Sequence, residues 1–190
     1  MVTATTADAK TSELTTLADI NAALGTKLKN FFGVQWIDAN TILVTENGKS
    51  YSYNLSTKSG KNIADSPENG ENQTFDSSYK NLAFTEGNNL FFINDKKEKI
   101  AVTNNSDKNI VSGQSISRNE FGISGGIFWS PKSSFLAFYQ KDETDVADYP
   151  LLDITETPGK LVNIKYPMIG QKSEKPRVGI YNLASGKTVF

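Results

Sequence analysis

The chain has 190 residues with 20 basic and 21 acidic side chains, a formal charge of -1, so it carries no basic field to hold nucleic acid or an anionic membrane surface. It contains neither cysteine nor histidine, which excludes disulfides, thiolate chemistry and any Ser-His-Asp or Cys-His centre completed within these residues. No apolar run approaches the ~18 residues of a membrane span. No dinucleotide turn, phosphate-binding glycine loop or EF-hand loop occurs, and no cofactor is implied.

Residues 1–15 are small and polar and are expected to form a flexible start. Across residues 16–30 a short helix and a lead-in follow. Leu17, Ile20 and Leu24 share one helical face, Thr16 with Asp19 forms a capping pattern, and Gly25 supplies a stop.

From Phe31 the pattern changes to strands, and one internal grammar is written three times. An aromatic and a polar turn open each unit: Trp36-Ile37-Asp38-Ala39-Asn40, Phe75-Asp76-Ser77-Ser78-Tyr79 and Trp129-Ser130-Pro131-Lys132. Strands follow at Thr41–Val44, Asn81–Phe84 and Phe135–Phe138, then at Ser50–Leu55, Asn89–Asn94 and Arg177–Leu183. A last short strand completes each unit, at Gly60–Ile63, Glu98–Val102 and Gly186–Phe190. Asn47-Gly48 and Gly87-Asn88 mark hairpin turns.

Small sheets recurring at this period bury both faces only against neighbours, so the expected fold is all-β: a partial β-propeller of about three antiparallel blades (34–64, 74–103 and 126–190) with a short N-terminal helix. A twisted antiparallel sandwich is the alternative. Asp65 to Thr74 and Thr103 to Asn109, rich in polar turn formers, read as rim loops. The third unit is interrupted by residues 140–176, a long insertion of the kind used for binding or for an interface. Three blades do not close a ring, so the chain is expected to be the first part of a longer protein or to close its edges by self-association.

The densest chemistry lies just before the third unit, where Glu120 precedes Gly125-Gly126, a short strand and a Ser-Pro turn. A loop carboxylate there is either a solvated group or a displayed binding group. Asp142, Glu143, Asp145 and Asp148 form a second acidic set, a weak calcium candidate because their spacing matches no standard loop.

Several quoted stretches carry a family resemblance: Asn119-Glu120-Phe121-Gly122, Phe128-Trp129-Ser130-Pro131-Lys132, Leu136-Ala137-Phe138-Tyr139, Asp148-Tyr149-Pro150, Lys165-Tyr166-Pro167-Met168 and Gly179-Ile180-Tyr181. Together they resemble the N-terminal propeller of the dipeptidyl peptidase IV group of prolyl oligopeptidase-family serine peptidases, most clearly from about Arg118 onward. The resemblance implies an exported, periplasmic or cell-envelope exopeptidase that releases X-Pro or X-Ala dipeptides. Its propeller gates access to a C-terminal α/β-hydrolase domain, which is absent from these residues together with the catalytic Ser, Asp and His.

The resemblance also implies that Glu120 receives the ammonium group of peptide N-termini. Asn119 stands where many relatives have a second glutamate, which would weaken the grip, and Arg118 is a second candidate partner for Glu120. Residues 140–176 are a possible homodimer interface. The rival reading is a non-catalytic secreted binding or scaffold protein whose blades close by self-association.

Overall fold

The computed structural model describes residues 14–190, so the expected flexible start lies almost wholly outside the described residues. Two compact units divide at Asp65 and Ser66.

The first unit begins with α1 (Leu17–Leu24). Asp19 N–H donates to Thr16 Oγ1 at 3.2 Å, and Thr16 N–H donates to Asp19 Oδ2 at 2.8 Å. This reciprocal box satisfies amide groups that the first turn leaves without helical partners. Gly25 closes the helix at φ 68°, in the left-handed region where glycine carries no side-chain penalty. The helix buries Ile20 against Ile42, Val44 and Tyr53.

Those residues come from an antiparallel sheet of β1 (Gln35–Trp36), β2 (Thr41–Glu46), β3 (Lys49–Asn54) and β4 (Ser59–Asp65), in that spatial order. Asn47 and Gly48, at φ 50° and 74°, join β2 to β3 through the paired positive angles that match hairpin twist. Helix and sheet meet closely at Gly60, where an added Cβ would lie 2.4 Å from a Leu24 methyl carbon and 2.5 Å from the Ser52 carbonyl oxygen.

The second unit holds two blades. One consists of β5 (Glu71–Phe75), β6 (Leu82–Glu86), β7 (Asn89–Ile93) and β8 (Lys99–Ala101). The other begins with β9 (Ile110–Ser112) and β10 (Ile127–Trp129), both paired to β11 (Phe135–Asp142). After the hairpin of β12 (Asp148–Asp153) and β13 (Lys160–Lys165), it is completed by β14 (Lys175–Asn182) and β15 (Lys187–Val189). Strands β9 and β10 occupy successive stretches of β11, pairing residues 140–142 and 136–138 respectively, with Ile127 opposite Phe138.

The all-β partial propeller with a short helix is therefore the fold. Two details depart from the sequence expectation. Each of the three blade sheets has four strands in its main path rather than three. The supposed loop from Asp65 to Thr74 contains most of β5, whose Glu-Asn-Gln-Thr composition masks a strand that pairs β6 through a bulge between Glu71 and Thr74.

A shared core joins the two blades of the second unit. Leu90 and Phe92 of β7 pack with Leu136 and Phe138 of β11 and Tyr181 of β14. Each buried Leu or Phe contributes about 1.5–3 kcal/mol. Phe92 meets Trp129 edge to face, with centroids 6.0 Å apart, while Trp129 Nε1 donates to the Thr74 carbonyl at 3.0 Å. At this opener the ring packs against the core and its polar edge ties one blade to the next, whereas Trp36 of the first unit is 65% exposed.

Candidate functional site

Between β9 and β10 the chain makes a compact turn that presents Glu120. Ser117, Arg118 and Asn119 have φ values of 51°, 50° and 61°, and form one 3-10 turn of left-handed residues. Glu120 returns to extended backbone, after which Phe121 and Gly122 are again left-handed at 56° and 75°. Left-handed backbone costs non-glycine residues about 1–2 kcal/mol each, so four such side-chain-bearing positions persist only where surrounding contacts fix them.

Local bonds supply part of that support. Glu120 N–H donates to Ser117 O at 2.8 Å, and Ile123 N–H donates to Glu120 O at 3.0 Å. The remainder comes from the distant end of the insertion. Ser117 N–H donates to Glu174 Oε1 at 2.7 Å, and the Arg118 guanidinium lies 4.0 Å from the centroid of the Tyr166 ring. Glu174 in turn faces Lys141 at 3.7 Å, and Lys141 pairs with Glu143 at 2.8 Å.

The three sequence candidates therefore sit together on one turn but behave differently. Arg118 and Asn119 line a cavity of about 170 Å³, together with Lys141, Lys165 and Glu174. Glu120 does not line it. Its carboxylate is exposed and has no hydrogen-bond or ion-pair partner among the described residues. The alternative Arg118–Glu120 ion pair does not form among the described residues, and the guanidinium lies over the Tyr166 ring instead. Phe121, 89% exposed, stands beside Glu120, so the turn displays a carboxylate and an aromatic ring side by side.

The acidic set weighed for calcium is occupied by protein partners. Asp145 accepts from Lys175 at 2.8 Å and Lys172 at 3.3 Å, and these hydrogen bonds hold its carboxyl below the usual range. Asp142 accepts from Thr144 N–H, Glu143 pairs with Lys141, and Asp148 pairs with Lys165 at 3.1 Å. No group of three or more metal-ligating side chains occurs among the described residues.

The insertion carries the antiparallel hairpin β12–β13, in register from Asp148 opposite Lys165 to Asp153 opposite Lys160. Leu152, Ile154 and Leu161 are exposed on it. Tyr149 and Tyr166, from the two Tyr-Pro pairs, bring their rings to 5.6 Å at the base of the hairpin. In the sequence both tyrosines stood out only within the stretches that carry the family resemblance. Sequence reasoning missed Glu174, which is 57 residues from Ser117 and sits in a polar stretch without a distinguishing pattern.

A model of the dipeptidyl peptidase IV N-terminal region matches residues 45–189, starting well upstream of the motifs clustered after Arg118. A solved structure assigned as a dipeptidyl aminopeptidase IV from Bacteroides ovatus is 40% identical over 90% of this chain, with a TM-score of 0.79. Porphyromonas gingivalis dipeptidyl peptidase 4 shares the fold over 83% of the chain at 23% identity, with a TM-score of 0.61. The chain spans 24% and 23% of the lengths of these two proteins. With that family model covering most of the chain and the Bacteroides ovatus structure matching it at 40% identity, the chain belongs to the dipeptidyl peptidase IV N-terminal region family.

Proposed function

We propose that this chain forms early propeller blades of an exported dipeptidyl peptidase IV-like serine exopeptidase that releases X-Pro and X-Ala dipeptides. In this reading the turn at residues 117–122 receives the substrate's free amino end. The observation that carries it is the exposed carboxylate of Glu120, unpartnered among the described residues, on a turn whose Ser117 and Arg118 are otherwise engaged. A displayed carboxylate takes an ammonium through charge-assisted hydrogen bonds, each worth about 1.5–3 kcal/mol. Asn119 brings no second charge to the turn, so this amine site holds its ligand with one full carboxylate. Arg118, fixed on Tyr166, keeps its positive charge from neutralising Glu120 by direct pairing.

The nucleophile and its general base belong to a C-terminal α/β-hydrolase domain, because a chain without histidine does not complete that chemistry. Two apolar surfaces fit the proposed assembly. Phe128, Phe135, Ala137 and Ile180 line an open face of the second unit's later blade, suited to a following blade. The exposed Leu152, Ile154 and Leu161 of the β12–β13 hairpin suit a homodimer contact.

The test is Glu120→Ala in the enzyme that carries this chain, assayed for dipeptide release from a Gly-Pro chromogenic substrate. Loss of one such bond corresponds to a rise in KM of roughly 10- to 100-fold. Unchanged KM and kcat would overturn the assignment.

A further inference from the structure

We infer that Glu174 is a positioning residue for the amine site: it clamps the left-handed turn from the far end of the insertion and thereby sets where the Glu120 carboxylate stands. This inference rests on the amine-recognition reading and names the group that holds the site in shape.

The turn needs an external clamp because its backbone is unfavourable in isolation. Three consecutive side-chain-bearing residues, Ser117 to Asn119, are left-handed, and such backbone persists only where surrounding structure over-determines it. The amides of Asn119 and Glu120 are bonded within the turn, to Ile116 O and Ser117 O. The amide of Ser117 instead donates out of the turn to Glu174 Oε1 at 2.7 Å.

The acceptor is itself held. Glu174 Oε2 faces Lys141 Nζ at 3.7 Å, and that ammonium also binds Glu143 at 2.8 Å. The side chains of Lys141, Glu143 and Glu174 are only 16%, 15% and 14% exposed, so solvent screens this bridge less than an open surface pair. Glu174 immediately precedes β14, and Lys141 lies on β11, opposite Pro176 in the register. The clamp is therefore anchored at the two longest paired strands of the blade, with Lys141 within β11 and Glu174 one residue before β14. Positioning groups mounted on such elements transmit small displacements directly to the groups they hold.

The chemistry predicts a distinction between two substitutions. Glu174→Ala removes both the acceptor for Ser117 N–H and the partner of Lys141. Glu174→Gln keeps an amide oxygen at the acceptor position and removes only the charge.

The experiment uses the complete enzyme carrying this chain, with steady-state kinetics on a Gly-Pro chromogenic substrate and amide hydrogen exchange at Ser117 and Glu120. Glu174→Ala is expected to raise KM about tenfold with kcat within about twofold, and to speed Ser117 exchange, while Glu174→Gln restores KM to within about threefold of the parent. Glu120→Ala runs alongside as the control for the site. If Glu120→Ala raises KM and Glu174→Ala leaves both KM and Ser117 exchange unchanged, the clamp is wrong and the amine site stands. A Glu174→Ala variant that lowers kcat and KM-independent stability together, without rescue by Glu174→Gln, also overturns the positioning role. If Glu120→Ala itself changes nothing, the amine-site reading fails and the inference falls with it.

Discussion

The Asp76 corner and the Glu120 turn are both tight loops in the second unit, yet they are stabilised in opposite ways. Asp76 is buried, and its carboxylate accepts from Ser78 Oγ, Lys80 N–H and both the backbone and side-chain amides of Asn81. All those donors lie within five residues. Ser77 Oγ then donates to Pro131 O at 2.8 Å, joining this corner to the Ser-Pro corner of the next blade. The Glu120 turn leaves its carboxylate facing solvent and takes its anchor from Glu174, far along the chain. The Asp76 corner satisfies its carboxylate mainly with its own donors, Ser133 of the next blade adding one more, whereas the Glu120 turn leaves its carboxylate unpartnered among the described residues and takes its anchor from far along the chain.

The sharpest way to break this contrast is Asp76→Ala. It leaves several part-buried donors without their shared acceptor, and is expected to lower stability by about 2–3 kcal/mol, read as a shift in denaturation midpoint. Glu120→Ala, by the same measurement, is expected to stay within about 0.5 kcal/mol of the parent, as other exposed substitutions do. Comparable losses for the two would remove the distinction.

Two glycines extend the comparison. At Gly179, on β14, an added Cβ would lie 2.4 Å from the Phe138 ring. Gly179→Ala is expected to cost about 1–3 kcal/mol by overpacking. At Gly122, in the Glu120 turn at φ 75°, an added Cβ would meet nothing within 4 Å. Gly122→Ala carries only the left-handed penalty of about 1–2 kcal/mol. Thermal unfolding of the pair separates steric from conformational cost.

The smallest effect concerns acid. Burial of Asp76 pushes its carboxyl up, but hydrogen bonds from Asn81, Ser133 and Ser78 outweigh this and leave it below the ordinary range. A carboxylate with a lowered folded pKa contributes stability that is complete above its unfolded value of about 3.9 and is lost as pH falls through the folded value. Denaturation series between neutral pH and about pH 3 should therefore show less acid sensitivity in Asp76→Asn than in the parent.

Much of the fold was legible because its signals are local. Thr16, Asp19 and Gly25 mark the ends of α1 within one short stretch, and Asn47-Gly48 marks a hairpin in two residues. Trp129 and Ser130 announce the later blade through a core ring and a hydroxyl that accepts from Ser134 and Phe135 amides. Strand β5 was hidden because polar residues without alternation form it, and only pairing with β6 makes it a strand. At the candidate site, Arg118, Asn119 and Glu120 were visible as neighbours in a motif. Their division of labour was not, since Arg118 is directed by Tyr166 and Ser117 by Glu174, contacts that only the returning insertion creates.

The most direct test of the account compares Glu120→Ala with the parent enzyme on two substrates, one bearing a free N-terminal amine and the other its desamino analogue. The account predicts a loss of about 10- to 100-fold in kcat/KM for the amine substrate and almost none for the desamino analogue. Equal losses on both substrates, or no loss on either, would contradict the claim that Glu120 receives the amino end.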